Sequence, residues 1–262
     1  LSTVNLGDGK IAVEISTTRD TTCAILNDGN VKCWGEGANG TLGNGGTTDI
    51  GDGSGDMASL NAVNLGNGRT ATQISAGYHH TCALLDNESV KCWGKNNKGQ
   101  LGQEHDDNIG DGSGEMESLN AVNLGSGRTA AQVETGNFHT CALLDNGSVK
   151  CWGHNDLGQL GMDNTDRIGE GSGDMTSLGV VNLGSGRTAT QISLGKKHSC
   201  AILDNGSAKC WGENANGLLG HDNNTSNTSP LNAIGDASSE MALLKGINLG
   251  TGRTAIQIDA GQ

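Results

Sequence analysis

The feature that most constrains this chain is a phrase that returns at a fixed interval. Cysteines stand at 23 and 33, 82 and 92, 141 and 151, and 200 and 210, each pair 59 residues after the last. The text around them barely changes: TCAILNDGNVKCWG, TCALLDNESVKCWG, TCALLDNGSVKCWG and SCAILDNGSAKCWG. A second phrase of the type VNLGSGRTA begins near Asn5, Asn64, Asn123, Asn182 and Asn248, so the hairpin phrase occurs four times and the strand phrase five. Such a chain is a repeat architecture, whose units bury a core only by stacking on their neighbours.

Composition says which kind. With 44 Gly, 1 Pro and only 4 Trp, 1 Tyr and 1 Phe in 262 residues, the apolar residues fall in short runs bounded by Gly, Asn and Asp. Those runs read as short strands and tight turns, an all-β chain. No apolar run approaches the roughly 20 residues of a membrane helix, and the first residues lack a charged-then-apolar targeting pattern. The expectation is a soluble segment of something longer, since it starts and stops inside a repeat.

In CALLDNGSVKC, Cys141 to Cys151, the turn suits a three-residue loop with Gly147 in the left-handed conformation. That register sets Leu144 opposite Ser148, Leu143 opposite Val149, Ala142 opposite Lys150 and Cys141 opposite Cys151. If Leu144 and Ser148 form a hydrogen-bonded pair, alternation puts the cysteines on a non-bonded one, with α carbons about 4.5 Å apart, near the lower end of what a disulfide tolerates. Four local bridges are the reading taken, Cys23–Cys33, Cys82–Cys92, Cys141–Cys151 and Cys200–Cys210, and they imply an oxidising, extracellular compartment. In the second copy Glu88 stands where the others have Gly, so that hairpin is expected to be the least regular. Zinc is the rival reading, since His80, His139 and His198 lie two residues before a Cys on the same strand face. Zinc would want a fourth ligand and the same set in every copy, and the first copy has Asp20 in place of the histidine. Free buried thiols are the third alternative.

The stretch ISAGYHHTCALLDNESVKCWGKNNKGQLG, Ile74–Gly102, resembles the repeat of the regulator of chromosome condensation family, and the match recurs at VETGNFHTCALL and ISLGKKHSCAIL. The resemblance implies a β-propeller with blades of four-stranded antiparallel sheets, commonly seven to a ring. Strands such as TCALL, apolar on both faces, agree with blades packed between neighbours. Residues 1–262 then form a single repeat domain, with hairpin units near 15–44, 74–103, 133–162 and 192–221 joined by Gly/Asp-rich loops. Four units are fewer than the family's ring, so the reading is a partial propeller, with a closed four-bladed ring as runner-up. The first copy diverges, with Thr17 and Asp20 replacing the Gly and His of the others.

Residues that stand out do so once per repeat. Trp34, Trp93, Trp152 and Trp211 are read as blade packing beside the disulfides, and His80, His139 and His198 as buried histidines bonded to a neighbouring strand. Light sensing, as in the plant ultraviolet-B photoreceptor of the family, would need clustered tryptophans. Arg69, Arg128, Arg187 and Arg253 share one phase of the repeat and suit a solvated strand end or an acidic partner. A net charge of −13 repels phosphate backbones, which excludes nucleic acid as a partner.

The linkers IGDGSGDM, IGDGSGEM and IGEGSGDM carry Asp52/Asp56, Asp111/Glu115 and Glu170/Asp174. Carboxylates on glycine-rich loops have the chemistry to chelate calcium weakly, but the full calcium-loop pattern is absent and solvated acidic loops are the simpler reading. Apart from calcium, no cofactor is implied. Glycosylation sequons occur at Asn39, at the hairpin turns Asn87, Asn146 and Asn205, and in the longer fourth linker at Asn223, Asn224 and Asn227. No nucleophile elbow, His-Glu-x-x-His pattern or phosphate-cradling Lys loop is present, and near-identical copies do not build the asymmetric constellation of a catalytic site. The expectation is an extracellular structural or protein-interaction scaffold without catalytic activity, binding a protein or further copies of itself, as in a filament. A lectin-like glycan binder is the second reading and a hydrolase the third.

Overall fold

The computed structural model of the chain describes residues 3–221 and 232–261. Four antiparallel sheets follow one another along the chain: β1 (Ala12–Thr17), β2 (Thr21–Leu26) and β3 (Val31–Gly35); β4 (Ala71–Ala76), β5 (His80–Leu85) and β6 (Val90–Gly94); β7 (Ala130–Thr135), β8 (His139–Leu144) and β9 (Val149–Gly153); and β10 (Ala189–Leu194), β11 (His198–Leu203), β12 (Ala208–Glu213) and β13 (Ala233–Ile234). Each sheet is a propeller blade and each blade is one repeat.

The cysteines set the register of the second and third strands. Cys141 pairs with Cys151, Ala142 with Lys150 and Leu143 with Val149, and the same pattern holds in every blade. Leu144 N–H donates to Ser148 O at 2.8 Å. All four cysteine pairs are disulfide-bonded, with α carbons 4.1 Å apart, as non-hydrogen-bonded neighbours are. Gly147 takes φ +77° and Glu88 takes +63°. The second hairpin keeps the register of the others, so the expectation that it is the least regular does not hold: Glu88 accepts the left-handed angle, and its carboxylate takes a hydrogen bond from Thr129 Oγ1 at 2.9 Å.

The fourth strand of each blade is minimal. It is a single bridge in three blades, Gly35–Ile50, Gly94–Ile109 and Gly153–Ile168, and the two residues of β13 in the last. The residue after each isoleucine is a glycine with φ near +100°, as at Gly51 (+106°) and Gly169 (+108°), which turns the chain off the sheet where a side chain would resist. The linkers then enter one-turn helices, α1 (Asp56–Ser59), α2 (Glu115–Ser118), α3 (Asp174–Ser177) and α4 (Glu240–Leu243).

Blades pack in series. The strands β5, β8 and β11 are buried at all six positions, because both sheet faces meet a neighbour. Side chains link the inner strands where backbone ladders stop: Ile74 N–H donates to Glu14 Oε1 at 2.9 Å, Val133 N–H to Gln73 Oε1 at 2.9 Å and Ile192 N–H to Gln132 Oε1 at 2.9 Å. The fifth strand phrase continues the series, with Ile258 N–H donating to Gln191 Oε1 at 3.2 Å. The arc does not close on its four blades. Ile15 is 59% exposed, whereas Ile74, Val133 and Ile192 at the same phase are 3%, 0% and 1% exposed. A four-bladed ring would cover that face. No helix of the described residues is long and apolar enough to cross a membrane.

Candidate functional site

The invariant residues of the repeat build the blade interfaces. Each buried indole reaches back to the preceding blade: Trp93 Nε1 donates to Thr41 O at 3.1 Å, Trp152 Nε1 to Gln100 O at 3.0 Å and Trp211 Nε1 to Gln159 O at 3.1 Å. The same three carbonyls accept the hydroxyls of Thr81 at 3.2 Å, Thr140 at 2.9 Å and Ser199 at 2.9 Å. Two of those hydroxyls also meet a histidine of the earlier blade, His80 Nε2 to Thr140 Oγ1 at 2.8 Å and His139 Nε2 to Ser199 Oγ at 3.1 Å. A hydroxyl has one proton to give, and here the carbonyl takes it. Nε2 of each histidine is therefore the donor, and both rings are neutral. Burial holds both well below the usual imidazole range, at about 3. Among the described residues no blade precedes that of Trp34, which is only half-buried. The approach is tight: a Cβ on Gly102 would lie 2.9 Å from Trp152 Nε1, which gives the last glycine of the WGKNNKGQLG phrase its reason.

The sulfurs are bonded to each other, so the cysteines do not serve as the zinc ligands the rival reading needs. The register also corrects the alignment of the first copy. Thr21 pairs with Gly35 as His80 pairs with Gly94, so Thr21 holds the histidine position. Asp20 corresponds to His79, and Thr18 rather than Thr17 to Gly77.

The acidic linkers are organised around one carboxylate each. Asp56 Oδ2 accepts the N–H groups of Gly51 and Gly53 at 2.9 and 2.8 Å, Glu115 Oε2 those of Gly110 and Gly112 at 2.8 Å, and Asp174 Oδ2 those of Gly169 and Gly171 at 2.9 and 2.8 Å. Those bonds hold Asp56 below the usual carboxylate range. The arrangement is a cap that fastens the loop to its helix. Asp52 comes within hydrogen-bond reach of Asp56, but among the described residues no group of three or more His, Cys, Asp or Glu side chains is placed to hold a metal ion. On the same edge of the arc as the hairpin turns, Arg69, Arg128 and Arg187 pair with Asp86, Asp145 and Asp204 at 3.3, 3.1 and 3.3 Å. Asn87, Asn146 and Asn205 are exposed on those turns, and Asn39 sits in a left-handed turn with φ +59°. Asn223, Asn224 and Asn227 lie outside the described residues.

Two surfaces remain once the invariant residues are accounted for. The first is a cleft of about 500 Å³ between the first two blades, lined by Asn44, Ile50, Asn61, Asn64, Met116 and Glu117 among others. It is open because Gly45 stands where the next two copies have Glu104 and Asp163. Those carboxylates reach across to the following blade and accept Met175 N–H at 3.0 Å and Met241 N–H at 2.8 Å.

The second surface is the opposite edge of the arc, where the loops between first and second strands lie beside the residue that leaves the third. Lys95 N–H donates to His79 O at 2.8 Å and His154 N–H to Phe138 O at 2.8 Å. Several positions here differ among otherwise near-identical copies: Arg19, Asp20 and Glu36; Tyr78, His79 and Lys95; Asn137, Phe138 and His154; Lys196, Lys197 and Glu213. The loops touch from blade to blade. Arg19 Nη1 donates to Tyr78 Oη at 2.7 Å, the rings of His79 and Phe138 are 5.2 Å apart and those of Phe138 and His154 6.2 Å apart, and Asn137 N–H donates to Lys196 O at 3.3 Å. Both non-tryptophan aromatics of the chain are here. Sequence reasoning concentrated on what repeats and missed this surface, whose signal is the variable pair in GYHH, GNFH and GKKH.

Comparison with known proteins agrees with this architecture. The family described as "Regulator of chromosome condensation (RCC1) repeat" matches residues 12–41, 71–100, 130–159 and 189–218, one match per blade. The chain is 29% identical to the human "Probable E3 ubiquitin-protein ligase HERC6" over 79% of its own length but only 19% of that protein's. It is 27% identical to the "Ultraviolet-B receptor UVR8" of Arabidopsis thaliana over 76% of its length and 40% of the receptor's. Among solved structures, that of Kap60 bound to yeast RCC1 (Prp20) superposes with a TM-score of 0.67 at 18% identity, over 97% of this chain and 53% of the other. That structural likeness speaks for the fold. Four matched repeats, each a disulfide-bonded blade, place this chain in the regulator of chromosome condensation (RCC1) repeat family.

Proposed function

We propose that the chain is an extracellular protein-interaction module without catalytic activity, which presents the variable loop edge of a disulfide-bonded propeller arc to its partner. The observation that carries this reading is the division of labour within the repeat. Residues common to the copies hold the blades together, while one set of differing residues lies together on the loop edge, as recognition surfaces on repeat scaffolds do. Four disulfides favour an oxidising compartment. His80 and His139, Trp93, Trp152 and Trp211, and Asp56, Glu115 and Asp174 have structural partners, which favours a binding role over a catalytic one. The similarity to structures described as bound to Kap60, or as binding Gsp1p and histones, supports protein binding as the kind of activity while naming no partner for this chain.

The test is affinity capture from the extracellular fraction of the source cells, comparing the native chain with a variant carrying Tyr78→Ser, His79→Ser and Phe138→Ser and a control carrying Arg128→Ala. The module reading expects a protein retained by the native chain and the control and lost by the loop variant. A second reading, glycan binding in the cleft beside Gly45, rests on its lining of Asn44, Asn61 and Asn64. Glycan-array binding abolished by Asn64→Ala, with no protein captured, would replace the first reading.

A further inference from the structure

Although the chain carries a net charge of −13, the variable edge is where its cations meet its aromatic rings. Arg19 Cζ lies over the Tyr78 ring, 5.9 Å from its centroid, and Lys95 Nζ over the Phe138 ring at 5.6 Å. Lys95 acts on His79, and Arg167 and Lys98 act on His154; after burial, these cations help push the two imidazoles below their usual range. Lys196 and Lys197 continue the stripe onto the fourth blade. The edge has its own carboxylates: Asp20 pairs with Arg19 at 3.6 Å, and Asp156 with His154 at 2.8 Å and Arg167 at 3.8 Å, while Glu36 and Glu213 make no ion pair among the described residues. Among the described residues, Lys95, Lys98, Lys196 and Lys197 have no ion-pair partner.

We infer that this stripe, from Tyr78 and His79 across Lys95, Phe138 and His154 to Lys197, is a docking surface for an extended acidic peptide segment whose carboxylates alternate with apolar side chains. The inference rests on the protein-interaction reading above and names the chemistry of the partner. Unpaired ammonium groups call for carboxylates, and the part-buried Tyr78 and Phe138 between them call for apolar side chains. In an extended peptide, side chains two residues apart share a side, so carboxylate and apolar side chains that alternate along the side facing the stripe can meet both. A pyranose or a nucleobase would stack on an open ring face. Here a face of each ring is already shared with a cation, and the neighbouring rings approach at their edges, at 4.2 Å and 76° for Tyr78 and His79. Nucleic acid is further disfavoured by the chain's overall charge.

The test is fluorescence polarisation with a short labelled peptide in which Glu and Leu alternate at every second position, separated by Ser, with Lys–Leu and Gln–Leu versions as controls and polygalacturonate as competitor. The full oxidised chain should bind the Glu–Leu peptide. Lys95→Glu should weaken binding by about tenfold or more, the loss expected when a charge-assisted contact becomes a repulsion. The surface variant Lys197→Glu should weaken it in the same direction, so the result does not depend on whether Phe138→Ala folds. Arg128→Ala, on the far edge, should change nothing. Equal binding of the Lys–Leu peptide, no binding of Glu–Leu, or indifference to both lysine substitutions overturns the inference. Displacement of the peptide by polygalacturonate, lost with Lys95→Glu, overturns it in favour of an acidic saccharide. A chain that captures a protein through the variable edge yet ignores the Glu–Leu peptide loses only the acidic-partner inference. Loss of capture in the first experiment would bear on the module reading itself.

Discussion

Replacing His80 or His139 by Gln should flatten the acid limb of the stability profile. In the unfolded chain an imidazole titrates near 6.5, whereas in the fold both are held at about 3 by burial. Above about pH 6.5 both states carry neutral rings and the full stability stands. As pH falls from there towards 3, the unfolded chain takes up the proton first. Stability is then lost at up to about 1.4 kcal/mol per pH unit for each histidine. Urea melts at pH 7.5 and 5.5 should show that loss in the native chain and a smaller one in either variant. At the same scale, Trp152→Ala should cost about 3–5 kcal/mol, since it empties a buried interface, and Trp34→Ala much less, because its indole is only half-buried. The hairpin register was legible from the cysteine positions and the DNGS turn, since both fix pairing within a few residues. The shared carbonyls of Thr41, Gln100 and Gln159 were not, because their donors arrive 40 and 52 residues later from another blade. The first-copy alignment was legible but misread at this scale: the interval between Cys23 and Cys82 already puts Thr21, and not Asp20, at the position of His80, as its pairing with Gly35 shows.

At the scale of elements, the hairpins and the linkers make separate contributions. Each disulfide closes a loop with a sequence separation of 10, and the chain-entropy account assigns such a loop roughly 2.5–3 kcal/mol. Mild reduction should therefore lower the melting temperature sharply, and peptide mapping should find only the four local bridges. The linker carboxylates act within their own loops. Asp174→Ala should cost about 1–3 kcal/mol, the range for losing charge-assisted hydrogen bonds, and by the same amount with and without millimolar calcium. A calcium-dependent difference at Asp174 would mean that the carboxylate serves an ion rather than the N–H groups of Gly169 and Gly171. The carboxylate spacing was visible in the sequence, but its role was not. It depends on glycine backbone angles that aim N–H groups at one oxygen, and neighbouring residues do not announce those angles. The brevity of the fourth strand has the same origin, in the left-handed glycine after each isoleucine.

At the scale of the whole molecule, the repeat count and the apolar middle strands made a propeller arc legible, and its open end follows from the burial of Ile15 relative to its counterparts. That end exposes Val13 and Ile15 of the first strand, with Ile11 just before it, at 65%, 59% and 65%, on a face that no other blade covers among the described residues. Apolar edges of this kind recruit partners. The 262-residue chain should self-associate in sedimentation experiments at high concentration, and Ile15→Lys should reduce this without lowering the melting temperature. Monomeric behaviour of the native chain at every concentration would contradict that use of the open face. The variable edge escaped the sequence reading because its members are scattered through three loop positions of four copies and become neighbours only when the blades stack. The most direct test of the account is hydroxyl-radical footprinting of the oxidised chain with and without its captured partner. The account predicts protection centred on Tyr78, His79, Phe138 and His154, with the hairpin turns and the cleft beside Gly45 unchanged. Protection at Asn44, Asn61 and Asn64, or at the turns around Asn87 and Asn146, with the variable edge still reactive, would contradict it.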